Sequence, residues 1–331
     1  MNNVRLQLAI VLYACSAGHP EARLLDVGPG RTYGAPSEAA AVVRDGDTVT
    51  IAPGTYYDCA VWQANGLTIA GTGPDVVITD RACMGKAAFV VAGDNATISG
   101  LTFARVRVMD GNGAGIRAEG RNLTVTNSRF VNNQIGILAG GRGGSLRISG
   151  CDFDGNGAAW DGQPAHAVSA GALDLLRIEG SSFRNARGGD HIASVAGRTE
   201  LLDNRLTDEG GHMSGALIWV AGGALVFERN TVNLTVGAAG RPGAVLIAGA
   251  ASSIAVRANT LHAPDAAVPL VRNWTGVTAT ENANTIPGNQ PAVSESNACY
   301  HRFRSSMAAL RIQARDLAAL AWHLAKALAH H

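Results

Sequence analysis

A length of 331 residues admits two domains, but a formal net charge of +1 with only 16% charged residues excludes a global electrostatic attraction to nucleic acid. The 47% hydrophobic content and 41 glycines suit short strands joined by small-residue corners. Beyond the first residues no apolar run approaches the roughly 18 needed to cross a membrane, so no transmembrane span is expected.

The chain opens as an export signal does. Arg5 precedes an apolar run, Leu6 to Ala14, interrupted by Gln7 and followed by Cys15-Ser-Ala-Gly18. Residues 1–22 are therefore read as a signal peptide that sends the protein to the periplasm or outside the cell. Leu12-Tyr-Ala-Cys15 also resembles a lipoprotein box, with Tyr13 an unusual occupant; the competing reading is a frayed terminus of a cytosolic protein. Residues 26–58 form a cap, in which Ser37 N-caps a helix over Glu38–Arg44, Asp45-Gly46 ends it and Thr48–Ile51 starts the first strand. Cys59 and Cys83, 24 residues apart, are a candidate disulfide, whose closure would stabilise by about 3 kcal/mol. Cys151 is expected to be a small buried thiol, Cys299 has no obvious partner, and no spacing suits zinc.

From Ala96 onward one eight-residue frame recurs, apolar at positions one, three and eight. Its fullest copy is Leu123-Thr-Val-Thr-Asn-Ser-Arg-Phe130, and others begin at Ala96, Leu146, Leu176, Thr199, Leu225, Ile254 and Val277. Positions one to three alternate as a strand does, and a repeat of this period means a solenoid. Position six carries Asn204, Asn230, Asn259 and Asn282, expected to take a left-handed turn and to bond the Asn one coil away. Position eight stacks Phe103, Phe130, Phe153 and Phe183 inside. The fold class is all-β: a parallel β-helix over residues 23–287, with an N-terminal capping helix. A linker, 288–300, leads to an amphipathic helix, 301–331, apolar at 307, 310, 314, 317, 321, 324 and 328. That helix caps the solenoid, pairs with another chain or rests on an anionic membrane.

The residues also carry a family likeness. Thr32-Tyr33, Pro36 to Ala41 and Asp45-Gly-Asp-Thr-Val-Thr-Ile-Ala-Pro-Gly-Thr-Tyr56 resemble the opening of bacterial right-handed β-helix proteins of the pectate-lyase-like superfamily. Asp110-Gly-Asn-Gly-Ala-Gly-Ile-Arg-Ala-Glu-Gly120, the frame at Leu123 and Ile135-Gly-Ile-Leu138 are similar to one secreted subgroup. The likeness spans roughly residues 27–250. It implies a right-handed helix and polysaccharide chemistry, and leaves the reaction open because function belongs to the site.

Chemistry in such folds sits on the outer face of one sheet. With Ile116, Ile137, Val168 and Ile192 inward, alternation puts Arg117, Leu138, Ser169 and Ala193 outward, beside Glu119, Gly140, Gly171 and Val195. With Leu217 inward, Ile218 and Val220 face out. Where the subgroup carries Gly-His-x-Ile-Lys-Ser-Arg-Ala, this chain has Gly189-Asp-His-Ile-Ala-Ser-Val-Ala196, so the lysine and arginine positions are Ala193 and Val195. The subgroup's aspartate becomes Ile218, and the tyrosine expected after His166 becomes Ser169.

If catalytic, the protein is a lyase acting by β-elimination, with His191 or His166 as base, Asp190 as orienting partner and Arg117 neutralising the uronate. Glu119, Asn112, Asp110, Ser169 and Trp219 are the substrate-binding candidates, and Trp160 is a second aromatic for stacking on a sugar. His166 and Asp190 equally suit strand entry with backbone bonds, and Arg117 with Glu119 a solvated salt bridge. No firm cofactor is expected; Asp110, Asn112, Asp152, Asp154 and Asp161 lie in Gly-rich loops that suit calcium or plain turn formation. An acidic polysaccharide is the expected partner, with the lyase activity either retained or lost. The alternative is a non-catalytic solenoid binding glycan or protein, or serving as a structural surface module.

Overall fold

The computed structural model describes residues 21–140, 142–157, 165–208, 216–234, 243–264, 268–288 and 291–295. The export signal apart from its last two residues, Trp160, Asp161, Cys299 and the C-terminal helix lie outside the described residues.

The frame builds the architecture directly. Strands Leu123–Thr126 and Ser145–Ser149 pair in parallel with Leu123 beside Leu146, and Leu146 beside Leu176 in the next coil. The same register runs back to the Ala96 frame and on through Thr199, Leu225 and Ile254. Positions one and three turn inward, so Leu123, Val125, Leu146, Ile148, Leu176 and Ile178 are buried. Each coil adds one strand to each of three parallel sheets, of eleven, nine and ten strands among the described residues. Sheet A holds frame positions one to four, sheet B position eight and its two neighbours, and sheet C the strand that closes the coil. The result is a β-solenoid of about nine turns.

Position eight forms the expected ladder. Phe103, Phe130, Phe153 and Phe183 stack with ring centroids 5.3, 4.7 and 4.6 Å apart, and Phe89 and Trp62 extend it edge-on.

The corner between sheets A and B differs from expectation in two ways. Position five, not six, takes the left-handed backbone: Asn127, Asp203, Arg229 and Ala258 have φ of 47°, 56°, 55° and 53°. Glycine fills that position at Gly150 and Gly180, where positive φ costs no Cβ clash. Position six contributes its side chain instead. Asn204 Nδ2 donates to Asn230 Oδ1, Asn230 to Asn259 and Asn259 to Asn284, each at 3.0 Å. The last rung is thus Asn284; Asn282 lies in sheet A beside Arg257, because the final strand is Thr280–Asn282 and the frame there slips by two residues. Upstream the column continues as Ser181, Cys151 and Ser128. Ser181 Oγ accepts the Cys151 N–H at 3.1 Å, and burial pushes the free Cys151 thiol up to about 11.

The N-terminal cap helix is Pro36–Ala40, earlier and shorter than the sequence suggests. Proline at the first turn presets its backbone. Ser37 does not cap; its own N–H donates to the Asp58 carboxylate at 2.8 Å, while the Glu38 carboxylate accepts the Gly34 N–H at 2.7 Å. Beneath the helix, Asp47 accepts the backbone N–H groups of Arg23 and Arg44 and the Arg23 guanidinium at 2.6 Å. Burial works against its charge, yet these bonds hold the carboxyl down at about 2. Cys59 and Cys83 are joined as a disulfide, with Cα atoms 5.4 Å apart.

Candidate functional site

Sheet C carries the wall on which the sequence places chemistry. Its register sets Val90, Arg117, Leu138, Ser169, Ala193, Trp219 and Leu246 in one outward column, one residue per coil. Ile116, Ile137, Val168 and Ile192 face inward as expected, and Ile218 follows them. Ile218 and Val220 are therefore core residues and Trp219 is the outward one, opposite to the expectation for this strand. Ala216 to Val220 is apolar throughout, so alternation there has no phase to read. Of the three positions lacking the subgroup's polar groups, only Ala193 and Val195 lie on the wall.

The wall is covered. Arg117 is 4% exposed, Ser169 4%, Ala193 0% and Trp219 9%. Two apolar patches dominate it. Around Arg117 lie Ala87, Val90, Ala114, Ile135, Leu138 and Ala165. Starting three coils on, Ala193, Ala216, Trp219 and Leu246 pack together with half-buried Val195 and Trp274.

Polar groups converge at one place. Lys86 Nζ donates to Glu119 Oε1 at 2.7 Å, and Arg117 Nε lies 3.7 Å from the same oxygen. Asn112 donates to Asp110 through its N–H and its Nδ2, at 3.4 and 3.2 Å. Burial lowers the pKa of the Arg117 guanidinium, while the Glu119 and Asp110 carboxylates oppose that shift. Two buried atoms of this cluster, Arg117 Nε and Asn112 Oδ1, have no hydrogen-bond partner. One is a donor and the other an acceptor. Lys86 escaped the sequence reading because its partner is a full coil and more away, a pairing visible only once the register is known.

The histidines lie elsewhere. His166 Nδ1 accepts the Asp190 backbone N–H at 3.1 Å, with the Asp190 carboxylate 3.8 Å away, so the pair meets in adjacent coils through a backbone contact. His166 is level with Ile135, three strand positions and two coils from Arg117. At about 3.3 Å per residue and 4.8 Å per coil the two backbones are ~14 Å apart. His191 is not on the wall at all. It is 1% exposed, its ring sits 5.8 Å from Phe183, and Nε2 donates to the Thr207 carbonyl at 3.1 Å. The histidine beside the strand caps the aromatic ladder from inside, where no polymer reaches it.

Two of the loop carboxylates are engaged by an arginine. Asp152 and Asp154 accept Arg184 at 2.9 and 3.1 Å, and among the described residues no group of three or more acidic, histidine or cysteine side chains can hold a metal ion. No helix among the described residues is long and apolar enough to cross a membrane.

Comparison with solved structures decides the winding. An alginate lyase from Paenibacillus sp. str. FPU-7 superposes with a TM-score of 0.54 at 15% identity, over 82% of this chain and 99% of that one. The fold is a right-handed parallel β-helix. Pectate lyase Pel9A superposes on this β-helix with a TM-score of 0.50 at 15% identity, covering 85% of this chain and 83% of its own. Escherichia coli YbhC gives 0.50 at 14% identity, over 86% and 87%. No protein-family model matches the sequence, and no curated protein matches it.

Proposed function

We propose that this β-helix is an exported, carbohydrate-associated protein that takes the carboxylate of an acidic polysaccharide at the Arg117 cluster and does not cleave it. The observation that carries the reading is the pair of buried, unbonded atoms, Arg117 Nε and Asn112 Oδ1. A buried donor and acceptor left without partners each cost about 1–3 kcal/mol. A uronate answers both, its carboxylate accepting from Arg117 and a ring hydroxyl donating to Asn112. With Arg117 4% exposed, a single carboxylate group enters end-on and a polymer does not lie along this wall. Solved β-helices of similar winding include an alginate lyase and a pectate lyase, which supports a polysaccharide as ligand. The Cys59–Cys83 disulfide supports an oxidising compartment outside the cytosol.

Elimination needs a base within hydrogen-bond reach of the proton beside the carboxylate that Arg117 would neutralise. His166, whose backbone is ~14 Å from that of Arg117 along the wall, has its Nδ1 engaged by the Asp190 N–H, and His191 faces the interior.

Titration calorimetry with oligogalacturonate and oligoguluronate, paired with absorbance of the unsaturated product, tests the reading. Wild-type protein binds without any rise in absorbance, and Arg117→Met weakens binding at least tenfold while the thermal midpoint holds or rises. Sustained turnover, or unchanged affinity in Arg117→Met, would sink the proposal.

A further inference from the structure

Sheet B presents a second wall of different character. Register places Arg129, Asp152, Ser182, Arg205, Thr231 and Thr260 in one outward column. The neighbouring column continues from Asp154 and Arg184 to Thr207, Asn233 and His262. The first half neutralises itself. Arg184 donates to both Asp152 and Asp154, Ser182 Oγ donates to Asp152 at 2.6 Å, and Asn185 Nδ2 to Asp154 at 2.8 Å. From Ser182 onward neither column holds a carboxylate. Beyond Arg184, what remains is hydroxyl, amide and imidazole, with one guanidinium, Arg205, which is exposed and, among the described residues, paired with no acidic group. Where the halves meet, a cleft of about 360 Å³ opens between Ser182, Arg184, Arg205, Thr207 and Asn233.

We propose that this cleft is a binding site for a carboxylated oligosaccharide lying across the coils of sheet B, its carboxylate on Arg205 and its ring hydroxyls on Thr207, Asn233 and Thr231. Charge complementarity selects the ligand: a guanidinium unpaired among the described residues, beside groups that exchange hydrogen bonds with hydroxyls, while the nearest carboxylates, Asp152 and Asp154, are already bonded to Arg184. Spacing agrees, because outward residues recur every ~4.8 Å along the solenoid, near the advance of one ring in an extended polysaccharide. Lodging a polymer needs an open face, which sheet B has and the covered wall of sheet C lacks. The inference adds a second surface to the ligand class proposed above and stands on different residues.

Its test uses the full chain, tetragalacturonate as probe and the neutral tetrasaccharide maltotetraose as control, by titration calorimetry at low and high salt. Arg205→Ala is exposed and should leave the thermal midpoint unchanged while weakening tetragalacturonate binding at least tenfold. Arg205→Lys should recover part of the loss, Asn233→Leu should weaken binding about threefold or more, and the control should not bind. Wild-type affinity in Arg205→Ala with loss in Arg117→Met would overturn this site and leave the Arg117 reading standing. Loss in Arg205→Ala with no effect of Arg117→Met would do the reverse. Equal binding of maltotetraose would also overturn the role given to the guanidinium.

Discussion

Phe153 lies between two nearly parallel rings, 4.7 Å from Phe130 and 4.6 Å from Phe183, and is completely buried. Truncating it opens a cavity bounded by rigid ring faces that cannot collapse inward. Phe153→Ala should therefore cost about 3–5 kcal/mol, read as a shift in urea unfolding. A loss under 1 kcal/mol would mean the neighbouring coils re-pack. These interior residues were the most legible in the sequence, since a large apolar ring every 23 to 30 residues has no explanation but stacking. Outward residues were less so. Arg117 reads from alternation, but its burial depends on what covers the wall, and nothing local to Gly115-Ile-Arg-Ala encodes that.

At the scale of an element, the asparagine corner replaces what a hairpin does by turn type. Asn230 Nδ2 donates to Leu201 O at 2.8 Å and to Asn259, while its Oδ1 accepts from the Asn204 backbone and side chain at 2.9 and 3.0 Å. Asn230→Ala strands buried groups on two neighbouring coils at once. The expected loss in chemical unfolding is about 2–4 kcal/mol, against about 1 for Asn185→Ala, which is exposed but sits at a φ of 56°. Similar small losses for both would show that water replaces the rung. The corner also shows where sequence reading falters. Asn at position six was visible, but its role was assigned to backbone geometry that position five performs. The Asn282 rung failed for the same reason, since two asparagines two residues apart satisfy the pattern equally and only hydrogen bonding chooses Asn284. The strand at Ile218 is a parallel case: an unbroken apolar run hides which face is the core, so the resemblance to an aspartate position misplaced that side chain.

As a whole molecule the solenoid is held coil to coil, and its N-terminal end is closed by the cap, the Cys59–Cys83 disulfide and Asp47. Folding favours the Asp47 carboxylate, so its contribution is complete above the unfolded value near 3.8 and is lost as pH falls through about 2. Amide exchange in Thr48–Ile51 should accelerate across that window, and Asp47→Asn should show fast exchange already at neutral pH with the acid step flattened. Equal protection in both proteins down to pH 2 would place the lock elsewhere. The candidate sites follow from the same one-dimensional order. Groups that meet must be neighbours along the stack, which unites Lys86, Arg117 and Glu119, and parts Arg117 from His166.

Cys151 offers a use for that order. Its thiol occupies a rung between serines, enclosed and held protonated well above neutral pH. An alkylating reagent can capture it only when the surrounding coils separate, so its labelling rate clocks the breathing of the middle of the solenoid, independently of events at either end.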